Sequence, residues 1–372
     1  IVIDYKKNYN RFMTLTELSY YSRKFLPFGI IGFLIFLIFF YLVKLLIIIY
    51  TPPPKPPTII NPIFQKISPV KVKNASSSSG IKFILDNIEG KPVTATEQAQ
   101  VFFLPEATAK LNYRQKIYLM AKNFGFDEDS LEYQLNGKIA TFSNEQRKLE
   151  IDITNYNFFY DYQFDFQSSL FQEVVIPSPK EIENKAISFL KSVNRYPNEL
   201  ALGKINILYF YYQPEINSFS FVENSKLANL VEVDFFRPNV NDFSFISPNF
   251  PNSHNFVLMV FYPDDFKVLR AQIKFFEKSD NQVGVYPLKS GDLAWEELNK
   301  GRGVVLSNPK NQKDVTIKSM IFSYFDPDFY QPYLQPVYLF IGGDNFAAYV
   351  PAVSSDYLIQ NDDNQYSIQS NQ

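Results

Sequence analysis

An uninterrupted apolar stretch, residues 27–50, is the feature that most limits what this chain can be. It reads PFGIIGFLIFLIFFYLVKLLIIIY, and Lys44 is its only charged residue. A helix needs roughly 20 apolar residues to cross the hydrocarbon core of a bilayer. Lys44 lies near the end of the stretch, so its ammonium group can extend to the interface. The sequence therefore predicts one transmembrane helix over residues 26–50.

Basic residues are distributed unevenly around this helix. Five lie before it, whereas the twenty residues after it contain only Lys55 and Lys66. Because cytoplasmic flanks carry the excess of Lys and Arg, we expect residues 1–25 to be a basic cytoplasmic segment of a single-pass protein of the cell membrane. The remainder would then lie outside the cytoplasm. A cleaved signal peptide is the alternative, although the stretch is longer than the usual apolar region of one and no small-residue cleavage site follows it.

Composition excludes several kinds of function. The chain has no cysteine, so disulfides, iron–sulfur clusters, thiolate zinc sites and cysteine nucleophiles are ruled out. After residue 50 there are 30 basic and 36 acidic residues, a mildly acidic balance that does not suit a nucleic-acid binder. The single histidine, His254, lies in a turn-like Pro-Asn-Ser-His-Asn stretch, where we expect an exposed loop residue. The sequence thus predicts no cofactor and no nucleic-acid partner. Because the chain begins with Ile, we also expect that some N-terminal sequence precedes it.

Residues 51–80 have the composition of a linker. Thr-Pro-Pro-Pro-Lys-Pro-Pro at 51–57 favours a stiff polyproline II spacer, and the serines at 76–80 favour a flexible end. Residues 81–170 then predict a first α+β unit. Its clearest signals are a helix that follows Asn112 and ends at Gly125, and a hairpin at Asn136-Gly137.

Residues 171–355 predict a second lobe that contains two further helix–sheet units. The first helix opens on Ser178-Pro-Lys-Glu, a capping box with proline at the first helical position. The second opens on Ser290 and carries Trp295, which we expect to be largely buried against strands 315–325 and 334–341. Antiparallel strands follow each helix, so the fold class is α+β, with repeated helix-on-antiparallel-sheet units. The tail, residues 356–372, is expected to be disordered.

Part of the second lobe resembles a known family. YPLKSGDLAWEELNKGRG at 286–303, LQPVYLF at 334–340 and FAAYVP at 346–351 are similar to the C-terminal region of the YycH/YycI regulatory proteins. The resemblance covers roughly residues 178–353. It implies a membrane-anchored protein built of PepSY-like helix-on-sheet units. It also implies an exported domain that binds a partner protein, typically the extracytoplasmic part of a sensor kinase, and that has no known enzymatic role.

Polar loops could carry chemistry, but each fits a turn better. Asp326-Pro-Asp328 could offer two carboxylates to a calcium ion, yet the same triplet is ordinary turn chemistry between strands. Gly342-Gly-Asp-Asn lies between two strands, so it has no helix N-terminus with which to bind phosphate, and a hairpin loop is expected. No general acid–base pair can be identified. We therefore expect no catalytic residues and no metal site.

Aromatic runs on the predicted strands are the remaining candidate site. Alternation directs half of each run outward, and an outer half that no helix covers would form a surface for a protein partner or a glycan. The candidate partner surface comprises Tyr209, Tyr211, Phe235 and Tyr338; purely structural packing of these side chains is the alternative. The sequence favours a non-enzymatic, membrane-anchored interaction or regulatory module that binds another envelope protein. A cell-wall glycan-binding protein and an envelope hydrolase with an unlocated site are the other possibilities.

Overall fold

The first compact unit of the chain contains a long apolar helix. The computed structural model describes residues 15–50, 59–73, 75–127 and 132–359, and the chain divides into the units Ile1–Thr58 and Ile59–Gln372. Helix α1 is Leu15–Tyr50, and within it Arg23–Leu46 is long and apolar enough to cross a membrane. This agrees with a single-pass membrane protein or a signal sequence. The expected polyproline spacer at 51–57 and residues 360–372 of the expected disordered tail lie outside the described residues. Residues 356–359 of that tail are ordered, contrary to the prediction: Leu358 is buried and forms a bridge with Ile67.

The second unit consists mostly of β-strands. Its α-helices are α2 (Tyr113–Asn123), α3 (Pro179–Ser192) and α4 (Gly291–Glu297), the last continuing into a π-helical turn at Leu298–Arg302. The strands, numbered in chain order, are β1 Ser76–Ser77, β2 Lys82–Leu85, β3 Gln98–Phe103, β4 Gln134–Asn136, β5 Ile139–Ser143, β6 Arg147–Asp152, β7 Phe158–Tyr162, β8 Ile205–Gln213, β9 Ser218–Phe221, β10 Leu230–Phe235, β11 Phe245–Ile246, β12 Phe256–Phe261, β13 Phe266–Ile273, β14 Val283–Pro287, β15 Val304–Ser307, β16 Asp314–Phe325, β17 Tyr333–Leu334, β18 Pro336–Gly342 and β19 Ala347–Pro351.

Three sheets organise these strands. A nine-stranded antiparallel sheet has the order β4-β5-β6-β7-β13-β12-β10-β8-β9. A seven-stranded sheet has the order β1-β15-β19-β18-β16-β11, with β2 and β11 parallel to β16, and the third sheet is β14-β3-β17. The α+β class is therefore confirmed. The repeated helix-on-sheet units are not confirmed, because β7 pairs with β13 and one sheet thus draws strands from both sides of residue 170.

Local sequence signals account for the ends of several elements. The Ser178 hydroxyl accepts a hydrogen bond from the Glu181 amide, and the Ser290 hydroxyl caps α4 in the same way. Asn112 precedes α2 but makes no side-chain cap. The Asn136-Gly137 hairpin joins β4 to β5, and Gly137 adopts a positive φ of 57° that a side chain would disfavour. The hairpin expected at residues 342–345 joins β18 to β19.

Helices α2 and α3 cover one face of the nine-stranded sheet. Their buried side chains are Ile117, Met120, Ala121, Ile182, Ala186 and Leu190. On the sheet they meet alternate residues such as Val231, Val233 and Phe158, which are fully buried. The opposite face of this sheet, which bears Glu232 and Asp234, therefore has no covering α-helix among the described elements.

Helix α4 packs on the seven-stranded sheet. Ala294 and Leu298 occupy the buried stripe of this short helix. Trp295 lies one position to the side and is half-buried, with its ring centre 6.4 Å from that of Phe83 and 6.0 Å from that of Phe340. The prediction that it packs on strand 334–341 is correct, whereas its burial is only partial.

The serine-rich stretch at 76–80 belongs to the folded unit and is not the flexible linker end that the sequence predicts. Ser76 and Ser77 form β1 and pair with Val305 and Val304. Ser78 is buried, and its hydroxyl donates to the Leu298 carbonyl and accepts from the Gly303 amide. Small hydroxyl side chains are selected here because they fit against the end of the helix and satisfy its free backbone groups.

Candidate functional site

One end of the nine-stranded sheet is an aromatic strand with an open edge. Among the described residues, β9 pairs with β8 alone. The Val222 amide donates to the Tyr209 carbonyl at 2.9 Å. Because hydrogen-bonded pairs alternate in an antiparallel ladder, Ser220 also faces β8, while the backbone N–H and C=O groups of Phe219 and Phe221 point away from the sheet.

The side chains at this edge are large, apolar and exposed. Phe221 is 60% exposed, Phe219 is 44% exposed, and Ile216 in the β8–β9 turn is 66% exposed. Neighbouring rings support both phenylalanines: the Phe221 ring lies 6.1 Å from Phe210, and the Phe219 ring lies 4.7 Å from Tyr212 and 6.1 Å from Phe164. We refer to Tyr211, Ile216, Phe219 and Phe221 as the β9 edge.

The β9 edge is short, at four residues, but lacks two other features that normally protect an edge strand, charge and proline. Sheets discourage further pairing with charged residues, prolines, bulges or very short strands at their edges. Strand β9 has the sequence Ser-Phe-Ser-Phe, with neither a charge nor a proline. An extended segment of another chain could therefore pair with its free backbone groups, and the phenylalanine rings could receive alternate side chains of that segment.

The structure separates the four residues of the predicted partner surface. Tyr211 is 43% exposed and lies on the β9 edge, and Tyr209 on the same strand is half-buried against the core under the helices. Phe235 is fully buried, with its ring 5.9 Å from that of Tyr196. Tyr338 is buried too, and its hydroxyl donates to the Lys289 carbonyl at 2.9 Å. Phe235 and Tyr338 were thus wrongly assigned to a surface, because alternation defines two faces of a strand but not which one is covered.

Phe219 and Phe221 were missed as site residues by the sequence reasoning. Their signal is nevertheless visible in the sequence, because a short Ser-Phe-Ser-Phe alternation follows directly on a turn and contains no charged residue. Such a pattern predicts a strand with one apolar face. That the strand lies at the edge of the sheet depends on the pairing of distant strands, which no local pattern specifies.

Two buried carboxyl groups lie close together on β10, on the face of the sheet that no described α-helix covers. Burial, followed by the charge of Glu232, raises the pKa of Asp234 to about 8, and the Ser253 amide at 3.0 Å opposes this shift. Burial raises the pKa of Glu232 to about 7, against the opposing charge of Arg270. These carboxyls therefore change charge near neutral pH, on the second strand in from β9.

A buried ion pair links the two large sheets. Arg237, just after β10, donates from Nε to Asp326 Oδ1 at 2.6 Å, and its guanidinium lies 3.8 Å from the ring centre of Phe275. Asp326 follows β16 and is buried, so it is not an exposed turn residue. Its role is to pair with Arg237 inside the protein.

His254 is buried beside this ion pair, so its assignment to an exposed loop was wrong. Its Nε2 lies 2.9 Å from the Lys274 carbonyl and 3.8 Å from Asp326 Oδ2. Both the histidine and the carboxylate are at least 95% buried, and no substrate can reach them in this arrangement. Within the described ranges, no group of three or more His, Cys, Asp or Glu side chains could hold a metal ion.

Comparisons with known proteins leave the family open. No family model matches the chain, and no curated protein matches it. One similar solved structure is an uncharacterized protein from Eubacterium rectale ATCC 33656, at 12% identity over 75% of this chain and 91% of that one, with a TM-score of 0.33. Another is the Bacillus megaterium YpeB C-terminal domain, at 12% identity over 67% of this chain and 95% of that one, with a TM-score of 0.28. At these TM-scores neither likeness supports an argument about function, and the YycH/YycI resemblance stays a prediction.

Proposed function

We propose that this chain is a non-enzymatic, membrane-anchored interaction module of the cell envelope that binds another envelope protein at the β9 edge. The observation that carries the proposal is the pair Phe219 and Phe221, whose backbone groups point out of the sheet while their side chains are exposed. A strand of the partner would extend the nine-stranded sheet, and its alternate side chains would contact the two rings.

A protein fits this edge better than a glycan does. Exposed aromatic rings can stack on sugars as well as on side chains. The outward N–H and C=O groups of Phe219 and Phe221, however, follow the spacing of a β-ladder, and another strand matches that spacing along its whole length. Large aromatic residues are also the side chains on which protein interfaces most often depend.

Anchoring of the module follows from helix α1 and from the charges around it. The bias of basic residues before the apolar stretch supports a cytoplasmic N-terminus and an extracytoplasmic second unit. Protease added to intact spheroplasts is then expected to digest the unit that begins at Ile59 and to spare the N-terminal segment. Protection of that unit until the membrane is opened would contradict this orientation.

Site-specific photo-crosslinking tests the proposed binding edge. A photoreactive amino acid is placed at Ile216 in one variant and at Leu135 in the other, in the full chain in the membranes of the cells that make it. Both positions are exposed, at 66% and 48%, and they lie at opposite ends of the nine-stranded sheet. We expect one discrete protein adduct from Ile216 and none from Leu135. Equal adducts from both positions, or an adduct with glycan in place of protein, would overturn the proposal.

A further inference from the structure

A groove of about 280 Å³ lies between the nine-stranded sheet and the loop that follows β16. Its floor is formed by residues of β5, β6 and β7 and by the chain just after β13. Its wall is formed by the loop and by the segment that precedes β1. The lining side chains that matter below are Asn157, Phe159 and Lys274 on the floor and Lys73, Asp328 and Phe329 on the wall.

Two ammonium groups line this groove without carboxylate partners. Lys274 is half-buried, and burial followed by the charge of Lys73 lowers its pKa. The Lys73 Nζ lies 5.2 Å from the centre of the Phe329 ring. Among the residues that the structure describes, neither lysine has a carboxylate oxygen within 4.0 Å. The groove can therefore offer two positive charges to an anionic group.

Three carboxylates near the groove differ in whether they already have a hydrogen-bond or ion-pair partner. Glu150 pairs with Lys148 at 2.7 Å. Asp152 accepts hydrogen bonds from the amide and hydroxyl of Thr154, at 2.8 and 2.6 Å. Asp328 has no such partner in the described part of the chain, and its Oδ1 is covered from solvent. It is thus the one of these three carboxylates that is left free to meet a cation.

Asn157 also carries a polar atom that has no hydrogen-bond partner among the described residues. This residue is 94% buried. Its Oδ1 accepts from the Arg195 guanidinium at 2.6 Å and from the Phe275 amide at 3.0 Å. Its Nδ2 is buried and bonds to none of the described residues. Leaving a buried polar group unsatisfied costs free energy, so a ligand whose acceptor reached this covered atom would bind more tightly.

We propose that this groove binds a small zwitterion of the amino-acid class, either a free amino acid or a short peptide. Its carboxylate would lie between Lys73 and Lys274, its ammonium group would face Asp328, and its apolar side chain would contact Phe159 and Phe329. The site is separate from the β9 edge and does not depend on it.

The charge and size of the groove favour this ligand class over others. A simple anion would be attracted by the lysines but repelled by Asp328. A simple cation would be attracted by Asp328 but repelled by the lysines. Asp328 lies near enough to oppose the lowering of the Lys274 pKa by burial and by Lys73, yet the two residues form no ion pair within 4.0 Å, which leaves space for a molecule that carries both charges. The volume is slightly below the range of roughly 300–1,000 Å³ that is usual for ligand pockets, which suits an amino acid or a dipeptide.

Calorimetric titration of the full chain in detergent micelles tests the proposal with four probes. L-leucine and L-leucyl-L-leucine carry both charges, N-acetyl-L-leucine carries only the carboxylate, and L-leucinamide carries only the ammonium group. We expect at least one of the first two to bind with a Kd below about 1 mM, and each single-charge probe to bind at least tenfold more weakly. A difference between leucine and leucyl-leucine tells a free amino acid from a peptide.

Substitutions assign the binding to this groove. Lys73→Met and Asp328→Asn are each expected to weaken binding of the preferred probe about tenfold while leaving the melting temperature within a few degrees. Lys110→Met, at an exposed lysine away from the groove, and Phe221→Ala on the β9 edge are expected to leave binding unchanged. The proposal is overturned if none of the four probes binds, if N-acetyl-L-leucine binds as tightly as leucine, or if Lys110→Met has the same effect as Lys73→Met.

Discussion

The two ends of the nine-stranded sheet use their aromatic residues in opposite ways. At the β4 end, Phe142 is fully buried, and its ring lies 5.5 Å from Tyr133 and 5.8 Å from Tyr118. At the β9 end, Phe221 packs against Phe210, and Phe219 packs against Tyr212 and Phe164, yet 60% and 44% of these two side chains remain exposed. The two ends differ in what covers their aromatic rings.

Covering helices explain this difference. Helix α2 carries Tyr118 and brings it over β5 at the β4 end, so the aromatic side chains there form part of the core. Around β9, no α-helix of the described chain covers the face that bears Phe219 and Phe221. Aromatic rings at the first end therefore contribute to folding, whereas those at the second end are free to contribute to binding.

The largest expected effect is the loss of stability on truncation at the covered end. Phe142→Ala should lower the free energy of unfolding by roughly 3–5 kcal/mol, as is typical when a large aromatic side chain is removed from a core. Denaturant unfolding, followed by the emission of Trp295, measures the change. A loss below about 1 kcal/mol would mean that the β4 end is not packed as described.

An intermediate effect is expected from the carboxyls on β10. The pKa of Asp234 is raised on folding from its ordinary value of 3.8 to about 8, so the folded protein binds a proton that the unfolded chain has released. The stability from this proton is fully present below about pH 4 and is lost as the pH rises toward 8. Asp234→Asn should flatten this dependence and raise the free energy of unfolding at pH 8 by roughly 1–3 kcal/mol.

A carboxylate nearer the β4 end serves as the control for this pH dependence. Glu150 lies on β6, and its pair with Lys148 is well exposed. Exposed pairs contribute about 0–1 kcal/mol, so Glu150→Gln should change stability little at any pH between 4 and 8. Equal pH profiles for Asp234→Asn and the unsubstituted protein would contradict the assignment to Asp234.

The smallest expected effect on stability is at the open end. Phe221→Ala removes a ring that is 60% exposed, so the free energy of unfolding should fall by less than about 1 kcal/mol, as for most surface substitutions. Leu135→Ala at the β4 edge, where the side chain is 48% exposed, is the matched control. A loss of several kcal/mol for Phe221→Ala would show that β9 belongs to the core and would weaken its role as a docking edge.

Local signals in the sequence predicted those parts of the fold that depend on neighbouring residues. The helix after Ser178, the helix after Ser290 and the Asn136-Gly137 hairpin are fixed by capping and turn chemistry within a few residues. The pairing of β7 with β13 is not fixed by such local chemistry, because it joins segments about a hundred residues apart. The burial of His254 and the pairing of Arg237 with Asp326 follow from such distant contacts, and for that reason the sequence did not reveal them.

The candidate site, too, depends on contacts between distant segments that local sequence signals do not reveal. Alternation correctly indicated that some aromatic side chains on strands would face outward, and Tyr211 does. It could not separate Tyr211 from Phe235, because the strand register places both on the same face of the sheet and only distant packing decides that Phe235 is covered there while Tyr211 is exposed. The edge position of Phe219 and Phe221 likewise became apparent only from the order of strands in the sheet.

A proline substitution tests most directly whether β9 binds by strand pairing. The Phe221 amide points away from β8, so Phe221→Pro removes an outward donor without breaking the β8–β9 ladder. The adduct from a photoreactive residue at Ile216 is measured in three backgrounds: unsubstituted, Phe221→Ala and Phe221→Pro. We expect alanine to reduce the adduct and proline to abolish it, while both variants melt within a few degrees of the unsubstituted protein. An undiminished adduct in the proline variant would contradict the claim that this edge receives a partner strand.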